Sequence, residues 1–290
     1  MTHTSDFAAL HRRGSPFLLP NAWDVASALL LAEAGFPAVG TTSLGVTASV
    51  GLPDGAGAGA ELTVALAGHL VPRLPVPLTV DLEGGYGDDP ALVATLAAEL
   101  AEIGVAGINL EDGRADGRLR SPEQHAAIIG AVTAAAPTLF VNARTDTYWL
   151  PVGRKGPLLT HRDVKGPFLT GDGRGRDRVR ETVRRLATYR DAGASGVFVP
   201  GLTEPAEIAT VAKAVDLPLN ILWQPGLDLG ACGTAGVARV STGSALYRSA
   251  LGAALAVADA AHRSTPPPGQ AVDYHGLQRL VREAGRRAPR

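Results

Sequence analysis

Short apolar runs alternate along the chain with longer stretches of helical periodicity. The runs Phe17–Leu19, Ala38–Gly40, Leu78–Val80, Ala106–Leu110, Thr138–Val141, Gly196–Val199, Leu217–Ile221 and Val237–Val240 read as buried strands. Each precedes a helical segment: Val25–Ala34, Ala60–Val71, Ala91–Ile103, Pro122–Ala135, Asp177–Ala192, Pro205–Val215, a weaker one near Gly226–Ala231, and Ser244–Ala261. The pairs Ala34-Gly35, Ile103-Gly104 and Ala192-Gly193 give three of these helices a glycine that stops them in the left-handed conformation before the next strand. Eight βα units predict an α/β fold closed into a parallel (β/α)8 TIM barrel. A doubly wound open sheet with a nucleotide role calls for a Gly-rich phosphate turn after its first strand, and this chain has Pro20-Asn-Ala-Trp-Asp24 there.

Composition fits one core. The 290 residues are near the ~250 of a routine one-domain barrel, and no linker rich in Pro, Ser and Gly divides the chain. The expected organisation is a single barrel domain over 1–290, with an inserted loop at about 148–176 and a helical tail at about 263–290. Lys plus Arg at 27 against Asp plus Glu at 28 leaves a formal charge of -1, which supplies no field for a polyanion and argues against a nucleic-acid partner. Cys232 is the one cysteine, so no disulfide framework is possible within the chain. The segment MTHTSDFAALHRRG lacks the apolar core of a signal peptide, and the longest apolar stretch, Ala245–Ala261, is broken by Arg248. A cytoplasmic location with no membrane partner is expected.

The polar residues that follow the strands change the picture from scaffold to enzyme. Thr41, Thr42 and Ser43 follow the second strand, Asp81 and Glu83 the third, Glu111 and Asp112 the fourth, and Arg144 and Asp146 the fifth; Asn220 lies at the seventh and Ser241 follows the eighth. Strand exits are where such barrels carry their chemistry. Carboxylate oxygens suit a hard cation such as Mg²⁺, and two or three carboxylates this close repel one another unless a cation sits among them. The arginine fork matches a substrate carboxylate. Other polar residues have plainer readings. Asn21 and Asp24 stand where a helix starts and serve either as caps or as ligand contacts, with Trp23 a candidate wall; His69 and His125 fall within helices, and no His/Cys spacing suggests zinc.

Through Thr41–Asp54 (TTSLGVTASVGLPD), Asp81–Gly87 (DLEGGYG), Gly107–Asp112 (GINLED), Asn142–Asp146 (NARTD) and Gly193–Pro200 (GASGVFVP), the chain resembles the isocitrate lyase / phosphoenolpyruvate mutase superfamily over roughly residues 17–262. The resemblance implies a barrel whose C-terminal helix is swapped between subunits, assembly into homodimers or homotetramers, and Mg²⁺-supported chemistry, with Mn²⁺ as the alternative ion, on a small-molecule carboxylate: a 2-oxo acid, its enolate or a 2-hydroxy acid. It places the metal at Asp81, Glu83 and Glu111, with Asp54 as an outer carboxylate. Backbone amides at Thr42, Ser43 and Leu44, with Arg144, would hold the substrate carboxylate; Asp81 and Asn220 join the substrate contacts, and Arg144, Asp54 and Glu111 the catalytic groups.

The departures from that pattern direct the functional expectation. The (methyl)isocitrate lyases carry, after the fourth-strand acid pair, a gating loop with a Lys-x-Cys-Gly-His signature whose cysteine is the catalytic acid/base; this chain has Gly113–Arg120 (GRADGRLR), with neither cysteine nor histidine. Arg114, Arg118 and Arg120 are candidate anion contacts from that shortened loop. The lyases' glutamate after the sixth strand is replaced by Val199-Pro-Gly201. The stretch Tyr148–Arg176 is too long and too rich in Gly, Pro and cations for an ordinary connection. It reads either as a lid carrying Lys155, His161 and Lys165, or as a mobile loop or oligomer contact. The tail after His262 reads as a Pro-rich turn and a basic amphipathic helix that packs on a neighbouring subunit. The expected function is Mg²⁺-dependent cleavage of a C–C bond in a 2-oxo acid, most simply as an oxaloacetate decarboxylase. C–C hydrolysis of an acylpyruvate or oxaloacetate, phosphonomutase-type P–C chemistry and a non-catalytic carboxylate-binding barrel are the alternatives.

Overall fold

The computed structural model describes residues 3–149 and 174–288. In chain order it contains α1 (His3–Leu10), β1 (Phe17–Leu19), β2 (Asn21–Ala22), α2 (Val25–Glu33), β3 (Val39–Thr41), α3 (Ser43–Ala48), α4 (Ala60–Leu70), β4 (Leu78–Asp81), α5 (Pro90–Ile103), β5 (Gly107–Glu111), α6 (Pro122–Ala135), β6 (Phe140–Arg144), α7 (Arg174–Asp191), β7 (Gly196–Val199), α8 (Pro205–Ala214), β8 (Leu219–Leu222), α9 (Leu229–Thr234), β9 (Val237–Ser241), α10 (Ala245–His262) and α11 (Tyr274–Arg287).

All strand pairings are parallel, in the order β1-β9-β8-β7-β6-β5-β4-β3-β2. β1 and β2 are two pieces of one barrel strand separated by Pro20, which has no N–H to give to a ladder. β1 pairs with β9 and β2 with β3, so the sheet meets itself across that residue and the expected (β/α)8 barrel is formed. Asn21 rivets the seam. Its Oδ1 accepts from Ser241 Oγ (2.8 Å), Thr242 Oγ1 (3.1 Å) and the Gly243 amide (3.1 Å), while Nδ2 donates to the Thr41 carbonyl (2.7 Å). Asn21 therefore closes the barrel, and Asp24 caps α2 in a capping box with Ser27.

The main core lies between barrel and helices. Leu29, Leu70, Leu100, Val132, Leu186 and Val211, one each from α2, α4, α5, α6, α7 and α8, are buried, and each such side chain contributes on the order of 1.5–3 kcal/mol. Chain punctuation sets the helix ends: Asp89 caps α5 ahead of Pro90, Gly104 ends it at φ +100°, and a Ser121/Gln124 capping box opens α6. The bottom of the barrel is closed by α1, which the sequence pattern did not reveal: Phe7 meets Phe17 and Phe140 edge-on, and His11 stacks on Phe140 at 4.2 Å.

The expectation for the tail needs correction. α11 packs on α2 of its own chain, with Ala284 buried and Leu280 against the core. A small residue at 284 lets the two helix backbones approach. α10, in contrast, buries little beyond Tyr247 and Ala260. The expected lid over 148–176 falls largely in residues 150–173, outside the described residues, as do Lys155, His161 and Lys165. Among the described residues no helix is long and apolar enough to cross a membrane.

Candidate active site

Register brings the strand-exit residues together. Asp81 on β4 stands opposite Asn109 on β5, and Glu111 on β5 opposite Arg144 on β6. Two groups result. In the first, Ser43 Oγ donates to Asp81 Oδ2 at 3.1 Å, and the same hydroxyl is a hydrogen-bond partner of Asp54. Glu83 belongs to this cluster, electrostatically coupled to Asp54 and Asp81. It is 5% exposed, its Oε1 has no partner, and its φ of +49° puts a non-glycine residue in the left-handed region. Backbone strain of that kind persists where surrounding structure enforces it. Burial, then the charges of Asp54 and Asp81, push the Glu83 carboxyl up to about 7, against the pull of the Gly55 and Gly57 amides. Asp54 is exposed at the rim, yet the neighbouring walls take enough water from it to raise its carboxyl pKa as well.

The second group is built around Arg144. Its Nη1 lies 2.6 Å from Glu111 Oε2, while Nε and Nη2 donate to the two carboxylate oxygens of Asp146 at 2.6 and 3.2 Å. Burial works against the Arg144 cation, but Asp146 and Glu111 outweigh it and raise its pKa. Burial also pushes both partner carboxyls up, with Arg144 opposing the rise. Three of five guanidinium N–H groups are spent, leaving two for a ligand. Behind this clamp Asp112 is fully buried and does not face the site: it accepts from Thr145 Oγ1 (2.7 Å), the Asp146 amide (2.9 Å), Tyr189 OH (2.6 Å) and Arg185 Nη1 (3.1 Å). Asp112 thus fixes the backbone that presents Arg144 and Asp146.

One anchoring expectation fails. The Thr42 amide donates to the Ala22 carbonyl at 3.0 Å, within the barrel wall, so it is not available to a ligand. The β2–β3 pairing uses it. Ser43 and Leu44 open α3, where first-turn amides have no intrahelical carbonyl; the Ser43 amide leans toward Asp81 Oδ2 at 3.4 Å. Asn220 is buried in the barrel interior, giving Nδ2 to Asn142 Oδ1 and the Val197 carbonyl, with Oδ1 left without a partner. The arginines of the shortened loop are occupied: Arg120 donates to Asp88 Oδ1 (2.9 Å), Arg114 pairs with Asp88 (3.1 Å), and Arg118 pairs with Asp116 (2.6 Å). A bridge between Gly113 and Leu119 folds this loop on itself.

No cage of three or more His, Cys, Asp or Glu side chains is preformed among the described residues. Mg²⁺ does not require one, because it keeps several waters and takes one or two carboxylates directly. The orphaned, buried Oε1 of Glu83 beside Asp81, in a cluster whose charges repel, fits a hard divalent ion. Without the ion, Glu83 leaves a signature in stability. Its pKa is raised from 4.5 to about 7 on folding, so the native state holds a proton that the unfolded chain gives up between those values. Stability is then fully present below pH 4.5 and falls as pH rises toward 7. Thermal melts of metal-free protein across that window should show a decline that Glu83→Gln flattens; parallel curves would reject the assignment.

Sequence reasoning missed the polar layer beneath the site: Asn109 accepts from Asn142 Nδ2 (2.8 Å) and from Arg239 Nη2 (2.9 Å). The signal was present, since Val237-Ala-Arg-Val-Ser241 puts a cation inside an apolar strand.

Comparison with known proteins adds relatives. Residues 7–262 match the family described as Phosphoenolpyruvate phosphomutase. Uncharacterized protein Rv1998c of Mycobacterium tuberculosis (strain ATCC 25618 / H37Rv) is 43% identical over 276 residues, 95% of this chain and 96% of that one. The 2-methylisocitrate lyase of Bacillus subtilis (strain 168) is 31% identical over 210 residues, 69% of this chain and 60% of that one. The crystal structure of a phosphonomutase candidate from Burkholderia cenocepacia J2315 superposes with a TM-score of 0.78 at 34% identity, covering 89% of this chain and 97% of that one.

Proposed function

The chain belongs to the phosphoenolpyruvate phosphomutase family, within the isocitrate lyase / phosphoenolpyruvate mutase superfamily of enzymes that act on carboxylates, and from that premise we propose that it is an Mg²⁺-dependent enzyme that cleaves a C–C bond in a 2-oxo acid, most simply oxaloacetate. The observation that supports this reading is the pairing of an acidic cluster, Asp81 and Glu83 with Glu111 and Asp54 beside it, with the Arg144 fork across neighbouring strand exits. Asp81, Glu83 and Glu111 would hold the ion, directly or through its waters. When bound, it supplies an electron sink for the charge that develops as the C–C bond breaks. Arg144 takes a ligand carboxylate with its two unspent donors, and the amides of Ser43 and Leu44 take the same group from α3. In oxaloacetate the C3–C4 bond breaks, carbon dioxide leaves, the bonding pair becomes the pyruvate enolate, and C3 then takes a proton from solvent.

The test is pyruvate release from oxaloacetate, with and without Mg²⁺, read through a coupled lactate dehydrogenase. Thermal stabilisation by oxalate plus Mg²⁺ is the binding test: a ligand at about 100-fold its Kd adds ~2.7 kcal/mol. No metal-dependent turnover and no stabilisation would reject the reading. Phosphonomutase chemistry stands second, favoured by the likeness to the Burkholderia structure.

Although a 2-methylisocitrate lyase is among the relatives, we do not assign that activity. The Gly113–Arg120 loop carries neither cysteine nor histidine to protonate a leaving carboxylate, its one carboxyl, Asp116, is paired with Arg118, and the loop is folded on itself. Isocitrate and 2-methylisocitrate should give no glyoxylate or pyruvate above background, and turnover on the order of 1 per second would refute this. Cys232, buried in α9, should be kinetically silent as Cys232→Ser.

The partner we propose beyond the substrate is a second copy of the chain. α10 exposes Leu251, Leu255 and Val257 along an apolar, alanine-rich helix, and an exposed apolar face of this kind marks an interface. Light scattering after size exclusion should give a dimer or tetramer that Leu255→Glu shifts toward monomer. A monomeric wild type would remove the proposal.

A further inference from the structure

Arg239 heads the fully buried side chains by size, with 0% exposure. It projects from the middle of β9 into the barrel. Nη2 donates to Asn109 Oδ1, its guanidinium carbon lies 5.8 Å from the centre of the Phe198 ring, and Arg144 lies 5.7 Å from the centre of that same ring. Nε and Nη1 have no partner. Among the described residues no carboxylate forms an ion pair with it. Asp81 above attracts it, and His11 below adds no second cation: burial and the Arg239 charge hold that imidazole down at about 3, so it is neutral at pH 7. Burial lowers Arg239 itself to about 9, which leaves it cationic at neutral pH.

A buried guanidinium with two idle donors and no counter-ion works against folding. The site above it explains its presence. Asp54, Asp81, Glu83, Glu111 and Asp146 are five carboxylates around the site, and among the described residues Arg144 is the cation paired within it, with Glu111 and Asp146. A dianionic ligand entering such a cluster meets a repulsive field even with one divalent ion bound. A second fixed cation under the floor offsets that field without occupying ligand space. We propose that Arg239 is a positioning residue that acts through Asp81 and the Asn109–Phe198 floor, raising the affinity of the site for an anionic ligand, lowering it for the bare metal ion, and doing so at a cost in stability. This inference rests on the metal-assisted carboxylate reading of the site.

The test compares full-length wild type, Arg239→Met and Arg239→Lys by calorimetry and thermal melting. Arg239→Met keeps the volume and removes the charge, and Asn109 Oδ1 retains its bond from Asn142. Its metal-free melting temperature should rise by roughly 2–4 °C or more. Its oxalate Kd at saturating Mg²⁺ should weaken by about tenfold, the expected scale for one charge within roughly 10 Å at an effective dielectric near 20. Its Mg²⁺ Kd without oxalate should tighten. Arg239→Lys should restore most of the oxalate affinity. A residue that only braces the barrel would not move the two affinities in opposite directions. Unchanged affinities in Arg239→Met, a joint loss of both, or failure of that variant to fold would each overturn the proposal. Failure of wild type to bind oxalate would instead remove the proposed function; the Arg239 inference is then decided by the melting temperature and bare Mg²⁺ affinity, which need no oxalate.

Discussion

Asp81→Ala should all but abolish Mg²⁺-dependent binding of oxalate while leaving the barrel folded. Asp81 ends β4 with its side chain turned out of the strand toward Ser43, whose hydroxyl reaches it at 3.1 Å. Its contribution to the wall is its backbone: the amide accepts no change on substitution and still donates to Thr41 Oγ1 at 2.9 Å. No core contact is lost. Removing a ligating carboxylate should cost more than the 10–100-fold typical of groups that only support a ligand, so a loss of at least about 100-fold in metal-dependent affinity is expected. The metal-free protein should not be destabilised, because Asp81 is one of the charges that push the Glu83 carboxyl up. Glu83→Ala and Glu111→Ala should lose less if they act through metal-bound water. Titration of Asp81→Ala with Mg²⁺ and oxalate decides the matter, and wild-type affinity would remove Asp81 from the metal.

The place of Asp81 at a strand exit was legible because its signal is local: an apolar run, then acid. The same logic placed Glu111 and Arg144 at neighbouring strand ends, and the barrel followed from counting βα units. What escaped depends on distant partners. The Thr42 amide looked like an anchor until the β2–β3 register gave it to Ala22. Asn21 looked like a cap or a ligand contact because Ser241 and Thr242, its partners across the seam, lie more than two hundred residues away in sequence. Arg239 sat inside an apparent strand, and only its three-dimensional neighbours turn an oddity into an electrostatic problem. α11 shows the same limit: a basic amphipathic helix can be read from spacing, but whether it docks on its own barrel depends on the shape of the α2 surface that meets Ala284.

Arg144→Lys should weaken oxalate binding by roughly 10–100-fold and also destabilise the protein. Arg144 spans two carboxylates at once, Asp146 through Nε and Nη2 and Glu111 through Nη1. A lysine ammonium is a single point with three donors, so it cannot reproduce that planar fork or offer a two-pronged edge to a ligand carboxylate. Asp146, at 2% exposure, would be left with the poorer partner. Its bond from the Thr145–Asp146 backbone to Asp112 stays, which limits the damage to the order of 1–3 kcal/mol expected when a buried polar group loses its partner. The two losses are separable. Asp146→Asn should destabilise by a similar amount while keeping the guanidinium, so it should lose much less oxalate affinity than Arg144→Lys does. Equal losses in the two variants would mean that site geometry rather than the fork sets affinity. Wild-type oxalate binding by Arg144→Lys would reject the anchor role and move the ligand carboxylate onto the α3 amides of Ser43 and Leu44.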